Sequence, residues 1–284
     1  MKLFFTNASS FHNLAIFLTL TIFLHTKVLS QDSTKPVYIY FSYIKTLPGQ
    51  GDAYRELIKT YGSKIFQSLL KDGSIQAWYL HQVLVPSGSS QDYNYVSVTV
   101  SADLRSLIDP AVMQKQLFKK ILPALSDKKI DSVIARYGQV RHIVKREIYT
   151  AYTVAIPPSQ TPSKYYWVGF HQPKPGKLSE SLQWEKDNWT SIHKAAIASG
   201  DMLNWGVYSM GLPYHEENKY SYITVNFFDD LHQFENNFNY DAAIKKAWPN
   251  SDMNKIFALP GGEKTVHKME LYKLVDYVNT GNSK

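Results

Sequence analysis

PGQGDAYRELIKTYGSKIFQSLLKDGSIQAWYLHQVLVPSGSSQDYNYVSVTVSADL, residues 48–104, returns as PGKLSESLQWEKDNWTSIHKAAIASGDMLNWGVYSMGLPYHEENKYSYITVNFFDDL, residues 175–231, at a constant offset of 127 and with no gap. Twelve of the 57 positions are identical, where chance pairing gives roughly three or four. Among them are the punctuating Pro48/Pro175, Gly49/Gly176, Gly73/Gly200 and Pro86/Pro213, and the bulky Trp78/Trp205, Tyr93/Tyr220 and Tyr95/Tyr222. One supersecondary unit is therefore written twice.

Around the first copy, residues 37–44 (VYIYFSYI) read as a strand, rich in β-branched and aromatic residues and ended by Pro48-Gly49. Residues 52–71 carry Leu57, Ile58, Tyr61, Ile65 and Leu69 at helical spacing and stop at Asp72-Gly73. Residues 74–85 and 93–100 form a predicted hairpin across a Pro-Ser-Gly-Ser-Ser turn. A second helical region, with a cap at Asp109-Pro110, runs with interruptions to about Tyr137, and residues 140–152 supply the last strand. The second copy repeats the order with strands at 165–171, 202–212, 220–227 and 266–275 and helices at 179–199 and from Asp229. The expected fold class is α+β: two ferredoxin-like βαββαβ repeats packed sheet to sheet as a pseudo-dimeric barrel. Repeat one spans 36–154 and repeat two spans 164–278, with a Pro-rich linker at 155–163.

Residues 1–30 read as a secretory signal peptide: Lys2, an apolar run LAIFLTLTIFL over 14–24, and a cleavage site near Ser30/Gln31. A membrane-spanning anchor is the competing reading, but this run is about half of the ~20 residues a span needs. The expected location is secreted or periplasmic. With no cysteine in the chain, stability must come from packing, which a mature chain of this length supports. Loss of Lys2 and Lys27 lowers the formal charge from +7 to +5. That surplus is spread along the chain, and no basic run is interleaved with stacking aromatics, so nucleic acid is not an expected partner.

Strand parity places the candidate residues. Val96, Val98 and Val100, matched by Ile223, Val225 and Phe227, suit a face packed on helices. The opposite parity holds Tyr95 and Tyr222, Tyr38 and Tyr40, and Trp167 and His171. In the second strands Trp78, Leu80, Trp205 and Val207 take the helix face, leaving Tyr79, His81 and Tyr208 on the other. With Ile148 and Leu271 toward the helices, Glu147 and Glu270 join the tyrosines. So many tyrosines are too apolar to leave open to water, so the two half-sheets are expected to enclose them.

The motif Lys174-Pro175-Gly176-Lys177 before an amphipathic helix, then Gly200 and Trp205, then Phe228-Asp229-Asp230-Leu231, resembles the pattern of the dimeric α+β barrel superfamily. The likeness is to its antibiotic-biosynthesis-monooxygenase-like and NIPSNAP-like members, here fused in tandem. The resemblance implies a cavity for a flat or aromatic ligand, with cofactor-free oxygenation, haem-linked chemistry or no catalysis as family uses. Glu147 and Glu270 are the candidate acid/base pair, with an internal ion pair to Lys145, Arg146 or Lys268 as the alternative. His81 and His171 are candidate proton shuttles or haem ligands, or else hydrogen-bonded structural histidines. Any haem ligand must be one of these or a helix histidine such as His193 or His232. Tyr38, Tyr40, Tyr95, Trp167, Tyr208 and Tyr222 are the expected ligand-lining residues, or else barrel filling. No His-Glu-x-x-His, Gly-x-Ser-x-Gly or phosphate loop occurs, and no metal site is expected. A non-catalytic module with a tyrosine-filled barrel is the alternative function.

Overall fold

The computed structural model describes residues 36–86, 91–108, 115–156, 161–213, 219–236, 241–250 and 264–280. The segment read as a signal peptide, the first hairpin turn at 87–90, the Asp109-Pro110 cap and the centre of the linker lie outside the described residues.

Strand β1 (Tyr38–Thr46) leads into helix α1 (residues 51–71), then β2 (Ala77–Val85) and β3 (Tyr95–Ser101). Helices α2 (Leu104–Ile108), α3 (Lys115–Ile121) and α4 (Asp127–Val140) precede β4 (Arg141–Val154). The second half follows with β5 (Tyr165–Pro173), α5 (residues 178–199), β6 (Asn204–Leu212), β7 (Tyr222–Phe228), α6 (Leu231–Asn236), α7 (Asp241–Ala247) and β8 (Lys264–Asn279).

The helix ends follow from the sequence. Ser126 caps α4, its Oγ accepting from the Lys129 amide, and Ile130, Val133, Tyr137 and Val140 give it one buried stripe. Gly73 and Gly200 end α1 and α5 at φ of 77° and 84°, a backbone region that costs glycine nothing. Both long helices contain a π-helical turn, at Ile58–Gly62 and at Glu185–Trp189, which the apolar periodicity does not announce.

All eight strands pair antiparallel in one closed barrel, ordered β1-β3-β2-β8-β5-β7-β6-β4. Each half contributes an unbroken run, β4-β1-β3-β2 and β8-β5-β7-β6, and two seams join them. At one seam Ala77 faces Asn279, and at the other Ile148 faces Leu212. One core cluster fills the lumen, and two more lie between the sheet and the helices.

The face assignment is corrected. Val96, Val98 and Val100, with Ile223, Val225 and Phe227, point into the lumen beside Ile39, Phe41 and Tyr43. Alternation then turns Tyr38, Tyr40, Tyr95, Trp167, Tyr222 and His171 outward, away from the enclosed space expected for them. A closed barrel has a narrow, dry interior, which selects β-branched and aromatic side chains. Its outer face can hold hydroxyls wherever a helix supplies a partner. Arg55 of α1 donates to the Tyr95 hydroxyl at 2.7 Å, Tyr222 donates to Glu185 of α5 at 2.9 Å, and Trp167 packs edge-on to Phe234 of α6. Trp78, Leu80, Trp205 and Val207 lie on the helix side, and Tyr79 and Tyr208 in the lumen.

The parity is directly testable. Val98→Lys should destabilise the protein by roughly 3 kcal/mol or more by forcing an ammonium into the lumen, and Tyr40→Lys by about 1 kcal/mol or less. Urea unfolding of the two variants checks this, and the reverse ranking would restore the sequence-based faces.

Candidate functional site

The lumen holds a polar network set up by strand alternation. Lys145, Glu147 and Tyr149 on β4 share one face, as do Lys268, Glu270 and Tyr272 on β8. Glu147 accepts from Lys145 Nζ at 2.7 Å, from Tyr149 at 2.7 Å and from Tyr220 at 2.5 Å. Glu270 accepts from Lys268 Nζ at 2.7 Å, from Tyr272 at 2.5 Å and from Tyr93 at 2.7 Å. Tyr220 belongs to the second half and Tyr93 to the first, so each carboxylate is held by a phenol from across the barrel.

Burial alone would raise the Glu147 carboxyl, but Lys145 and the hydroxyl donors outweigh it and the net direction is down. Burial, followed by the charge of the bonded carboxylate, pushes the Tyr93 and Tyr220 phenols up. Both glutamates therefore sit in the ion-pair arrangement, and the lumen around them is filled by the protein's own rings. His81 also faces the lumen, edge-on to Tyr166 at 4.4 Å between ring centroids, and burial lowers its imidazole to about 3.

A second polar cluster lies outside the barrel, between the sheet and α5. Here Glu185, in the π-helical turn, is almost fully buried and accepts from Tyr222 and from Lys264 at the start of β8. His171 stacks on Tyr222 at 4.9 Å, and its Nε2 lies 2.8 Å from the Thr224 hydroxyl. His193 is sandwiched between Trp189 and Trp205 at 5.4 and 4.6 Å. Burial, helped by the Lys264 charge, lowers both imidazoles, that of His193 to about 3. Among the described residues of this half, His171 Nδ1, Ser181 Oγ, Thr190 Oγ1 and Asn226 Oδ1 are buried without a hydrogen-bond partner.

At the offset of 127 the first half places Ile44, Tyr54, Ile58, Tyr61 and Phe66 where the second has His171, Ser181, Glu185, Asn188 and His193. Four of the first-half residues are buried in its helix-side core, and Tyr61 packs against it. The same fold positions are hydrophobic in one half and polar or ionisable in the other.

Of the residues singled out in the sequence, Glu147, Glu270, His81 and Tyr208 meet in the lumen, whereas His171 and Tyr222 meet in the second-half layer. Tyr38 and Tyr40 belong to neither group. Glu185, Lys264, Asn188 and Ser181 were missed. Their signal was present in the aligned copies, because a charged or polar residue opposite a core Ile or Tyr marks a position that the fold does not require to be polar.

Haem does not fit these residues as arranged. His81 abuts Tyr166, His171 lies against Tyr222 with its Nε2 engaged, and His193 is flanked on both faces by indoles; His232 is exposed on α6. A groove of about 530 Å³ lies instead beside α1, lined by Asp52, Arg55, Ile58, Leu80 and Asp276. No group of three metal-ligating side chains occurs among the described residues.

No protein-family model and no curated protein matches the chain. Solved structures do. A "Putative monooxygenase" from Fusobacterium nucleatum aligns over 87% of this chain and 95% of its own, with a TM-score of 0.50 at 11% identity. This chain shares the overall fold of that structure, strands closed into a barrel with helices outside. A "putative monooxygenase" from Lactobacillus acidophilus (TM-score 0.48, 8% identity, 87% and 97% coverage) and a haem-binding protein from Thermus thermophilus (0.43, 10%, 85% and 92%) are also similar. At these identities the likeness concerns fold alone.

The histidines give a pH signature. Their folded pKa values lie below the unfolded value near 6.5, so the stability they contribute is full above that pH. It is lost as pH falls from 6.5 toward about 3, the folded value of His81 and His193. Urea midpoints should therefore drop across that window, and His193→Phe, which copies the first half, should flatten the fall. An unchanged slope in the variant would exclude His193 as a source.

Proposed function

We propose that the chain is an exported, fused pseudo-dimer of two ferredoxin-like units whose second half binds a small aromatic or otherwise hydrophobic ligand between its helices and its sheet. The observation that carries this reading is the contrast at equivalent positions. A buried ion pair costs several kcal/mol in desolvation, and partnerless buried polar atoms cost more. At the five equivalent positions the first half supports the same fold with neither an ion pair nor an orphaned polar atom. Clusters of this kind are characteristic of functional sites.

The surroundings suit a ring-bearing ligand with a hydroxyl. Trp184, Trp189, Trp205 and Tyr222 supply aromatic faces, and His171 Nδ1 offers an unused hydrogen-bonding atom. The Tyr222, Glu185 and Lys264 chain can take up or return a proton next to it. Removal of a phenolic ligand's proton is the step this arrangement favours, and oxygenation of the resulting phenolate with dioxygen as the oxidant is the reaction class we propose. The filled lumen supports a second reading, a non-catalytic binding or structural module.

Titration with 1-naphthol and a hydroxyanthraquinone, followed by tryptophan fluorescence, separates the two. Saturable quenching is expected, weakened roughly tenfold or more by His171→Ile or Glu185→Gln through loss of one or two buried hydrogen bonds. Haemin should give no saturable Soret shift. Absence of binding by either probe would favour the self-filled module, and a Soret shift abolished by His171→Ala would return haem to this layer.

A further inference from the structure

The lumen network has one pair of reactive groups open to solutes. The side chains of Lys145 and Lys268 are 33% and 26% exposed, whereas those of Glu147 and Glu270 are 6% and 5% exposed. Lys145 Nζ lies 4.1 Å from the Tyr43 ring centroid and 5.0 Å from that of Tyr220; Lys268 Nζ lies 4.2 Å from Phe170. Both ammoniums also lie over the Tyr93 ring, at 5.9 and 4.9 Å. Each donates to one glutamate and one tyrosine, which leaves the third N–H of each ammonium uncommitted among these contacts. Burial pushes the Lys145 ammonium down, the Glu147 carboxylate holds it up, and Lys268 adds to the fall; the net direction is down.

We propose that Lys145 forms a Schiff base with a small aldehyde or ketone, with Glu147 and Tyr220 carrying the protons. An amine set among rings beside a second cation, with a carboxylate and a phenol in hydrogen-bond reach, has what such a reaction requires. The Lys145 ammonium passes one proton to Glu147, and its free pair attacks the carbonyl carbon. The C–N bond forms as the C=O π pair moves to oxygen, which takes a proton from the Tyr220 hydroxyl. Glu147 restores the phenol's proton. The carbinolamine then loses its hydroxyl, with a further proton from nitrogen, as water. One ammonium and one carbonyl give one protonated imine and one water, so no oxidant or other co-reactant is needed. The Tyr43, Tyr93 and Tyr220 rings around the Lys145 amine favour an aromatic carbonyl compound. Lys268 sits in the related arrangement but is less exposed and rests on Phe170, so the assignment is to Lys145. The site is separate from the second-half layer and does not depend on it.

The test is reductive trapping of the full-length protein with 4-hydroxybenzaldehyde and cyanoborohydride at neutral pH, followed by peptide mass mapping. Lys145 should be modified about tenfold faster than exposed lysines such as Lys71 and Lys129. Glu147→Gln should slow trapping and change its pH profile, with folding checked by urea unfolding. Modification that tracks exposure alone overturns the proposal, as does an adduct chiefly on Lys268. The map of the unaltered protein decides this even where a variant fails to fold.

Discussion

Two carboxylates inside a closed barrel must be met by donors or they would unfold it, and here each is met from the opposite half. Glu147 is held by Tyr220 and Glu270 by Tyr93, as well as by the lysine and tyrosine of its own strand. Neither half could supply the full set alone. The halves are thus joined by the seams of the sheet, which are indifferent to sequence, and by these reciprocal bonds, which are not. The cross-barrel bonds fix the rotational setting of one half on the other, a specificity that the hydrophobic filling of Ile39, Phe41, Ile223 and Val225 could not give by itself.

The repeat made the element order legible. The strand and helix limits lie within a few residues of those read from Pro48-Gly49, Asp72-Gly73 and their copies, because glycine and proline act through local backbone sterics. Facing was only half legible. The inward direction of Glu147 and Glu270 follows from Ile148 and Leu271, but the valines of β3 were given to the helices because an apolar stripe usually marks a helix-covered face. In a barrel both faces are covered, and the lumen is the drier of the two. Tyr95 and Tyr222 therefore went to the wrong side, since a tyrosine looks alike in sequence whether its hydroxyl meets a lumen carboxylate or a helix residue such as Arg55 or Glu185.

The second-half cluster shows what comparing the copies can reveal beyond topology. Residue by residue, α1 and α5 share their start and their π-helical turns, yet Ile58 and Glu185 occupy the same step of that turn. Divergence within one chain replaces the comparison usually made between proteins. The apolar copy serves as an internal control for what the architecture needs, and the excess polarity of the other copy stands out against it.

The order of strands around the barrel also constrains when it can close. Strand β2, ending at Val85, has its outer neighbour in β8, which begins at Lys264 and ends at Asn279. The first half therefore keeps an open sheet edge until β8 has been synthesised, and closure waits on a pairing between segments almost two hundred residues apart. Such long-range pairing is slow to nucleate, and an unpaired edge is a template for association while it lasts. The last strand thus acts as the closing stave of the barrel, so the risk of misassembly falls during synthesis and release, before the finished molecule with its edges joined exists.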